Sequence, residues 1–302
     1  MLGKICRLGI LVLLALLLSL GVLLVALPYS GVGLVSEVGV DAIALPDYEL
    51  LAIPEPIAEE ATELAAELFG DSQEKVNDFV NQLLATYLEA KDKDFIVLFN
   101  SGGWGWNLLE ETPGWRSISI GIESRLVSAG FTSLSLNYQR TDKSWLGCLN
   151  ELGEIVAGYQ SKARDLACRL EFLTDHIPDL KIIVAGESTG TIISDTVMAM
   201  LEDNPQVYSI QTGRPFWHNN IMLDRTLVMT HNGIRPDSFS QGDFHTIIFG
   251  NLRALFGSSE PIEDYGTILH YVGAPGHDYW WQYPNVYSEI TDFLEGNFNL
   301  KW

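Results

Sequence analysis

Hydrophobic positions follow three different rhythms along the chain. From Leu8 to Leu27 they are continuous: twenty residues without a charge, interrupted only by Gly9, Ser19 and Gly21. As a helix this run would rise about 30 Å, enough to cross the hydrocarbon of a bilayer. Between Ile57 and Ala90 the rhythm is helical. Ile57, Ala61, Leu64 and Leu68 form one apolar stripe, and Val76, Phe79, Val80, Leu83, Leu84, Tyr87 and Leu88 form another, with a break at Gly70-Asp71. This spacing predicts two amphipathic helices, 57–69 and 73–90.

From residue 95 short apolar runs alternate with longer amphipathic ones. Strands are predicted at 95–99, 133–138, 181–185, 207–211, 226–230 and 267–272. Helices are predicted at 118–129, 151–175, 191–201 and 286–294. Continuous apolar strands separated by helices predict an α/β fold, a mainly parallel sheet with helices on both faces.

Charge divides the chain at the same places. Residues 1–27 carry two cations, Lys4 and Arg7, and no acid; residues 28–94 carry 3 cations and 15 acids; residues 95–302 carry 13 and 24. The expected organisation is a transmembrane anchor or signal segment (1–27), an acidic linker with amphipathic helices (28–94) and a catalytic α/β domain (95–302). Pro28 to Pro56, with Gly31, Gly33, Gly39, Pro46 and Pro54, reads as an irregular stalk. Cations before the apolar run and none soon after it place the N-terminus in the cytoplasm and the body outside the membrane. Secretion after cleavage of the leader is the alternative. A net charge of −21 without any Lys/Arg cluster excludes a nucleic-acid partner. Cys148 and Cys168, the two cysteines beyond the leader, are an even pair that either joins in one disulfide or stays as two buried thiols. No metal-binding spacing is present, and no cofactor is expected.

Gly186-Glu187-Ser188-Thr189-Gly190 is a G-x-S-x-G sequence lying between a predicted strand and a predicted helix. In that context the pattern makes a sharp turn that presents a nucleophilic serine, Ser188. Its general base is expected late in the chain, and His277 in Pro275-Gly276-His277-Asp278 has that place. His176 precedes the serine, His270 falls in a predicted strand, and His218, His231 and His245 are less well placed. The acid that orients the base is expected on the loop after strand 226–230. Asp237 is the first choice, Asp243 the second and Asp224, before that strand, the third. Oxyanion donors are expected from the backbone N–H of Thr189 and from Gly103 or Trp104 in the Gly-rich stretch after Phe99. That stretch lacks the lysine and the spacing of a nucleotide loop.

The strand-elbow-helix around Ser188, the Gly-rich loop and the late Gly276-His277 together resemble the α/β-hydrolase superfamily over residues 95–302. The resemblance implies a serine esterase or lipase-like enzyme that forms an acyl-enzyme on Ser188. Two features depart from the family: the first loop reads Asn-Ser-Gly-Gly where many members have His-Gly, and the acid lacks the usual short spacing after a glycine. A peptidase or thioesterase with the same triad, and a catalytically silent binding module of the same fold, are the alternatives. Trp104, Trp106, Trp280 and Trp281 flank the site loops and suggest an apolar or sugar-stacking acyl pocket. With a membrane tether, the expected substrate is a small-molecule or lipid ester.

Overall fold

The computed structural model describes residues 33–36, 53–218, 223–255, 266–268 and 272–300. The leader lies outside the described residues. The elements in chain order are β1 (Gly33–Ser36), α1 (Glu55–Phe69), α2 (Gln73–Ala90), β2 (Phe95–Asn100), α3 (Pro113–Ser128), β3 (Ser133–Gln139), α4 (Trp145–Val156), α5 (Gln160–His176), β4 (Lys181–Glu187), α6 (Gly190–Met200), β5 (Val207–Thr212), β6 (Thr226–Met229), α7 (Phe244–Leu255), β7 (Gly266–Ile268), β8 (Val272–Ala274) and α8 (Pro284–Phe298).

The chain has an α/β fold. Six strands make one sheet in the order β1-β3-β2-β4-β5-β6. All neighbours are parallel except β1, which runs antiparallel to β3 with Gly33 opposite Gln139. The central strands are buried on both faces, as their unbroken apolar runs require: β2, Phe-Ile-Val-Leu-Phe-Asn, is buried at every position. Alternate side chains serve two cores. Ile96, Leu98, Ile182 and Val184 meet α1, α2, α5 and α6, while Phe95, Val97, Phe99 and Ile183 meet α3 and α8.

Four expectations change. The stretch read as a stalk contains β1, an edge strand of the main sheet, and α1 and α2 pack into the core, burying Ala61, Ala65, Phe79 and Leu83. The described part of the acidic region is therefore built into the folded body. The helix expected over 151–175 is two helices, because Gly158 (φ 68°) and Tyr159 (φ 59°) turn the chain through the left-handed region. The strand expected at 267–272 is not part of the main sheet; β7 and β8 form their own antiparallel hairpin. Helix α7 was not foreseen. Cys148 on α4 and Cys168 on α5 are free thiols, and burial pushes the Cys168 thiol up.

Candidate active site

The five parallel strands β2, β3, β4, β5 and β6 end at one edge, and the loops leaving that edge build the site. Between β4 and α6 the chain turns so sharply that Ser188 adopts φ 49°, a left-handed conformation that is costly for a residue with a Cβ. The turn is held on both sides. Ser188 N–H donates to the Thr212 carbonyl at 2.9 Å, and the Thr191 hydroxyl donates to the Ser188 carbonyl at 2.7 Å. The flanking glycines are needed for space: a Cβ on Gly190 would lie 2.2 Å from the Asn100 carbonyl oxygen, and one on Gly186 would lie 2.7 Å from Ser194 Oγ.

Ser188 lines a cleft of about 330 Å³ together with Gly103, Trp104, Glu187, His277 and Ile268. Its hydroxyl is buried and has no hydrogen-bond partner among the described residues, so no Ser188–His277 bond is formed in this structure. His277 follows the β7–β8 hairpin and is buried. Its Nδ1 lies 2.9 Å from Asp237 Oδ2. Asp237 is fully buried and accepts four more bonds. The Tyr279 hydroxyl (2.9 Å) and the Ser240 hydroxyl (2.8 Å) donate to Oδ2, and the Phe239 and Ser240 N–H groups donate to Oδ1. Burial acts to raise this carboxyl, but the bonds and charge from His277 and the bonds from Ser240 outweigh it, and the net shift is downward. An ionised Asp237 can only accept, so the proton of neutral His277 sits on Nδ1 and leaves Nε2 as a base.

The other candidates are elsewhere. Asp243 is exposed and caps α7, accepting from the Thr246 N–H and hydroxyl. Asp224 stands in an exposed turn. His218 pairs with Asp195 at 2.9 Å, His176 bonds the Phe172 carbonyl, His231 lies 3.9 Å from Glu289 and His245 packs on Phe249. His270 lies outside the described residues.

The Gly-rich loop after β2 passes directly over the elbow. A Cβ on Gly102 would sit 2.8 Å from Ser188 Cβ, and Gly103 and Gly105 have φ of 58° and 76°. Gly102 is needed for the close approach, and Gly103 and Gly105 for the left-handed turn. Gly103 and Trp104 border the cleft, and the Thr189 hydroxyl ties down the loop by donating to the Gly103 carbonyl at 3.1 Å. Beneath the loop lies a group that sequence reasoning missed. Arg140, fully buried, donates to Asn100 Oδ1 (2.7 Å), the Ser101 carbonyl and Thr189 Oγ1 (3.4 Å). Its charge is balanced by buried Glu151 at 2.9 Å, which also accepts from the Tyr159 hydroxyl. No sequence motif marks Arg140; its role comes from packing forty residues away from Asn100. Glu187 was missed too. Its Oε2 accepts the Gly102 N–H at 3.2 Å, and burial pushes its carboxyl up against the opposing pull of that bond, His277 and Arg140.

Among the described residues no group of three or more His, Cys, Asp or Glu could hold a metal ion. No protein-family model matches the chain, and no curated protein matches it significantly. Among solved structures, Trichoderma reesei cutinase in complex with a C11Y4 phosphonate inhibitor aligns at 17% identity over 65% of this chain and 84% of that chain, with a TM-score of 0.36. At that score the alignment adds nothing to the geometry above.

Proposed function

We propose that the chain is a serine hydrolase acting on carboxylic esters, tethered to a membrane by its leader with the folded body outside. The observation that supports it most is the pairing of a buried, ionised Asp237 with His277 in the same cleft as a serine held at φ 49°. Each residue then has a chemical task. Ser188 Oγ attacks the ester carbonyl carbon as His277 Nε2 takes its proton, and Asp237 stabilises the imidazolium. The Thr189 N–H, with that of Gly103 or Trp104, donates to the oxyanion as its charge develops. Collapse breaks the bond to the leaving oxygen, which receives the proton from His277. Water, deprotonated by the same imidazole, then attacks the acyl carbon; the bond to Ser188 Oγ breaks, Oγ takes the proton back from His277, and the acid is released. The missing Ser188–His277 bond in the free protein is compatible with this sequence, since such bonds often tighten only around substrate.

A fluorophosphonate probe tests the proposal on the full chain. Covalent labelling is expected, with loss of label in Ser188→Ala and loss of p-nitrophenyl acetate hydrolysis by about 10⁶-fold, the size of effect seen when a triad serine is removed. Labelling that survives in Ser188→Ala would refute the assignment.

A further inference from the structure

The geometry points to a second membrane contact, in which the outer face of α7, with Phe216 and Trp217, rests in the surface of a lipid bilayer beside the cleft. Phe244, Ile248, Phe249 and Leu252 of α7, together with Phe216 and Trp217, are each between 42% and 55% exposed, although Ile247 on the same helix is buried against Phe239 and Ala274. So many large apolar side chains gathered on one surface mark an interaction site. Their rings form a path to the site: Phe244 to Phe216 at 5.0 Å, Phe216 to Trp217 at 4.9 Å, Trp217 to Phe239 at 5.3 Å and Phe239 to His277 at 4.9 Å.

Charge and connectivity identify the occupant. In a chain with 39 acids, α7 is the single described α-helix without Asp or Glu, and its one full cation is Arg253. A protein partner chosen for this otherwise acidic body would be basic, and α7 offers it only the capping Asp243, whose oxygens are already bonded to Thr246; an apolar surface with phosphate headgroups suits the helix. The leader supplies the bilayer. Residues 28–32 separate Leu27 from Gly33 and span at most about 18 Å. Gly33 pairs with Gln139 at the carboxyl end of β3. That is the sheet edge where Ser188 follows β4, Phe216 follows β5 and α7 follows β6. A bilayer-spanning leader therefore holds the membrane against the edge carrying the cleft. The edge from β1 to β5 is four strand spacings, about 19 Å, so the start of β1 and the apolar face lie on opposite sides of the cleft. Joined to the hydrolase reading, on which this last step rests, the arrangement assigns an ester carried in the bilayer as substrate.

The test uses the full chain in phosphatidylcholine vesicles, with Cys6, Cys148 and Cys168 replaced by Ser and a bimane fluorophore on Ile248→Cys or Leu252→Cys. Asp203→Cys, exposed beyond the far end of α6, is the control. Acyl chains carrying bromine should quench the probe on α7 and not the control, and aqueous iodide should quench the control at least threefold more strongly. Equal iodide quenching without quenching by bromine overturns the docking. Shielding from iodide without bromine quenching also overturns it, because another protein surface then covers the face. For the substrate, the ratio of vesicle-ester turnover to p-nitrophenyl acetate turnover should fall at least tenfold in Ile248→Ser/Leu252→Ser, and an unchanged ratio overturns that assignment. If p-nitrophenyl acetate is not hydrolysed at all, the hydrolase reading fails and the quenching still decides the docking.

Discussion

Asp237 and Asp243 are six residues apart, and only their place on the loop ranks Asp237 first in the sequence. Burial and bonding separate them: one is sealed beneath Tyr279 and His277, the other is an exposed helix cap. Asp237→Asn should therefore lower kcat by about 10⁴-fold, because an amide can donate to Nδ1 and stabilise the wrong imidazole tautomer. Asp243→Asn should leave kcat near its starting value when the two are compared in one esterase assay. Glu187 gives a different readout. A carboxyl raised in the folded state holds its proton more tightly there than in the unfolded chain, so stability falls as pH climbs from about 4.5 through the folded value. Glu187→Gln keeps an oxygen for the Gly102 N–H and removes the half-buried charge. Its thermal midpoint should exceed that of the parent at neutral pH, and the difference should vanish below the ordinary carboxylate range. A midpoint difference independent of pH would assign the effect to packing instead.

The elbow joins β4 to α6 only because Gly190 lets the helix press against the end of β2, where Asn100 Nδ2 also donates to the Gly190 carbonyl at 3.0 Å. The clash in Gly190→Ala would be with a backbone oxygen, which cannot swing aside as a side chain can. The variant should lose about 1–3 kcal/mol by the usual cost of overpacking, visible as a lower midpoint in chemical denaturation. This element was legible in sequence because several local signals agree there: an apolar strand, paired glycines and a helical stripe. The other central strands were legible for the same reason. β1 and α7 were not. β1 is four residues long and acquires its identity from pairing with β3, about a hundred positions later. α7 leaves Phe244, Ile248, Phe249 and Leu252 exposed while Ile247 is buried, so its apolar residues do not mark the side that meets the core. The break at Gly158-Tyr159 was hidden because Tyr159 is apolar enough to extend the stripe, yet its side chain turns inward to the buried Arg140–Glu151 pair.

The charge profile, with its step near residue 94, invites a division of the molecule that the packing does not follow. α1 and α2 carry acid on their outer faces, but their inner faces complete the core on one side of the sheet. Phe79 lies under the Arg169 guanidinium at 4.0 Å, and Val76, Leu83 and Leu84 are buried in the same cluster as Leu98 and Val184. Burying a large apolar side chain contributes about 1.5–3 kcal/mol. Losing four such side chains, and uncovering the strands and α5 beneath them, removes an amount comparable to the whole stability of about 5–15 kcal/mol expected of a domain. A chain starting at residue 95 should therefore show no cooperative thermal unfolding by calorimetry and no near-ultraviolet dichroism from its buried Trp115. A chain starting at residue 28 keeps β1, α1 and α2 and should unfold in one transition. The comparison separates two roles that sequence alone assigns to one acidic region. If the shorter chain also melted cooperatively, residues 28–94 would be an appendage with its own charge; if it does not, their acidity belongs to the outer surface of the body that holds Ser188.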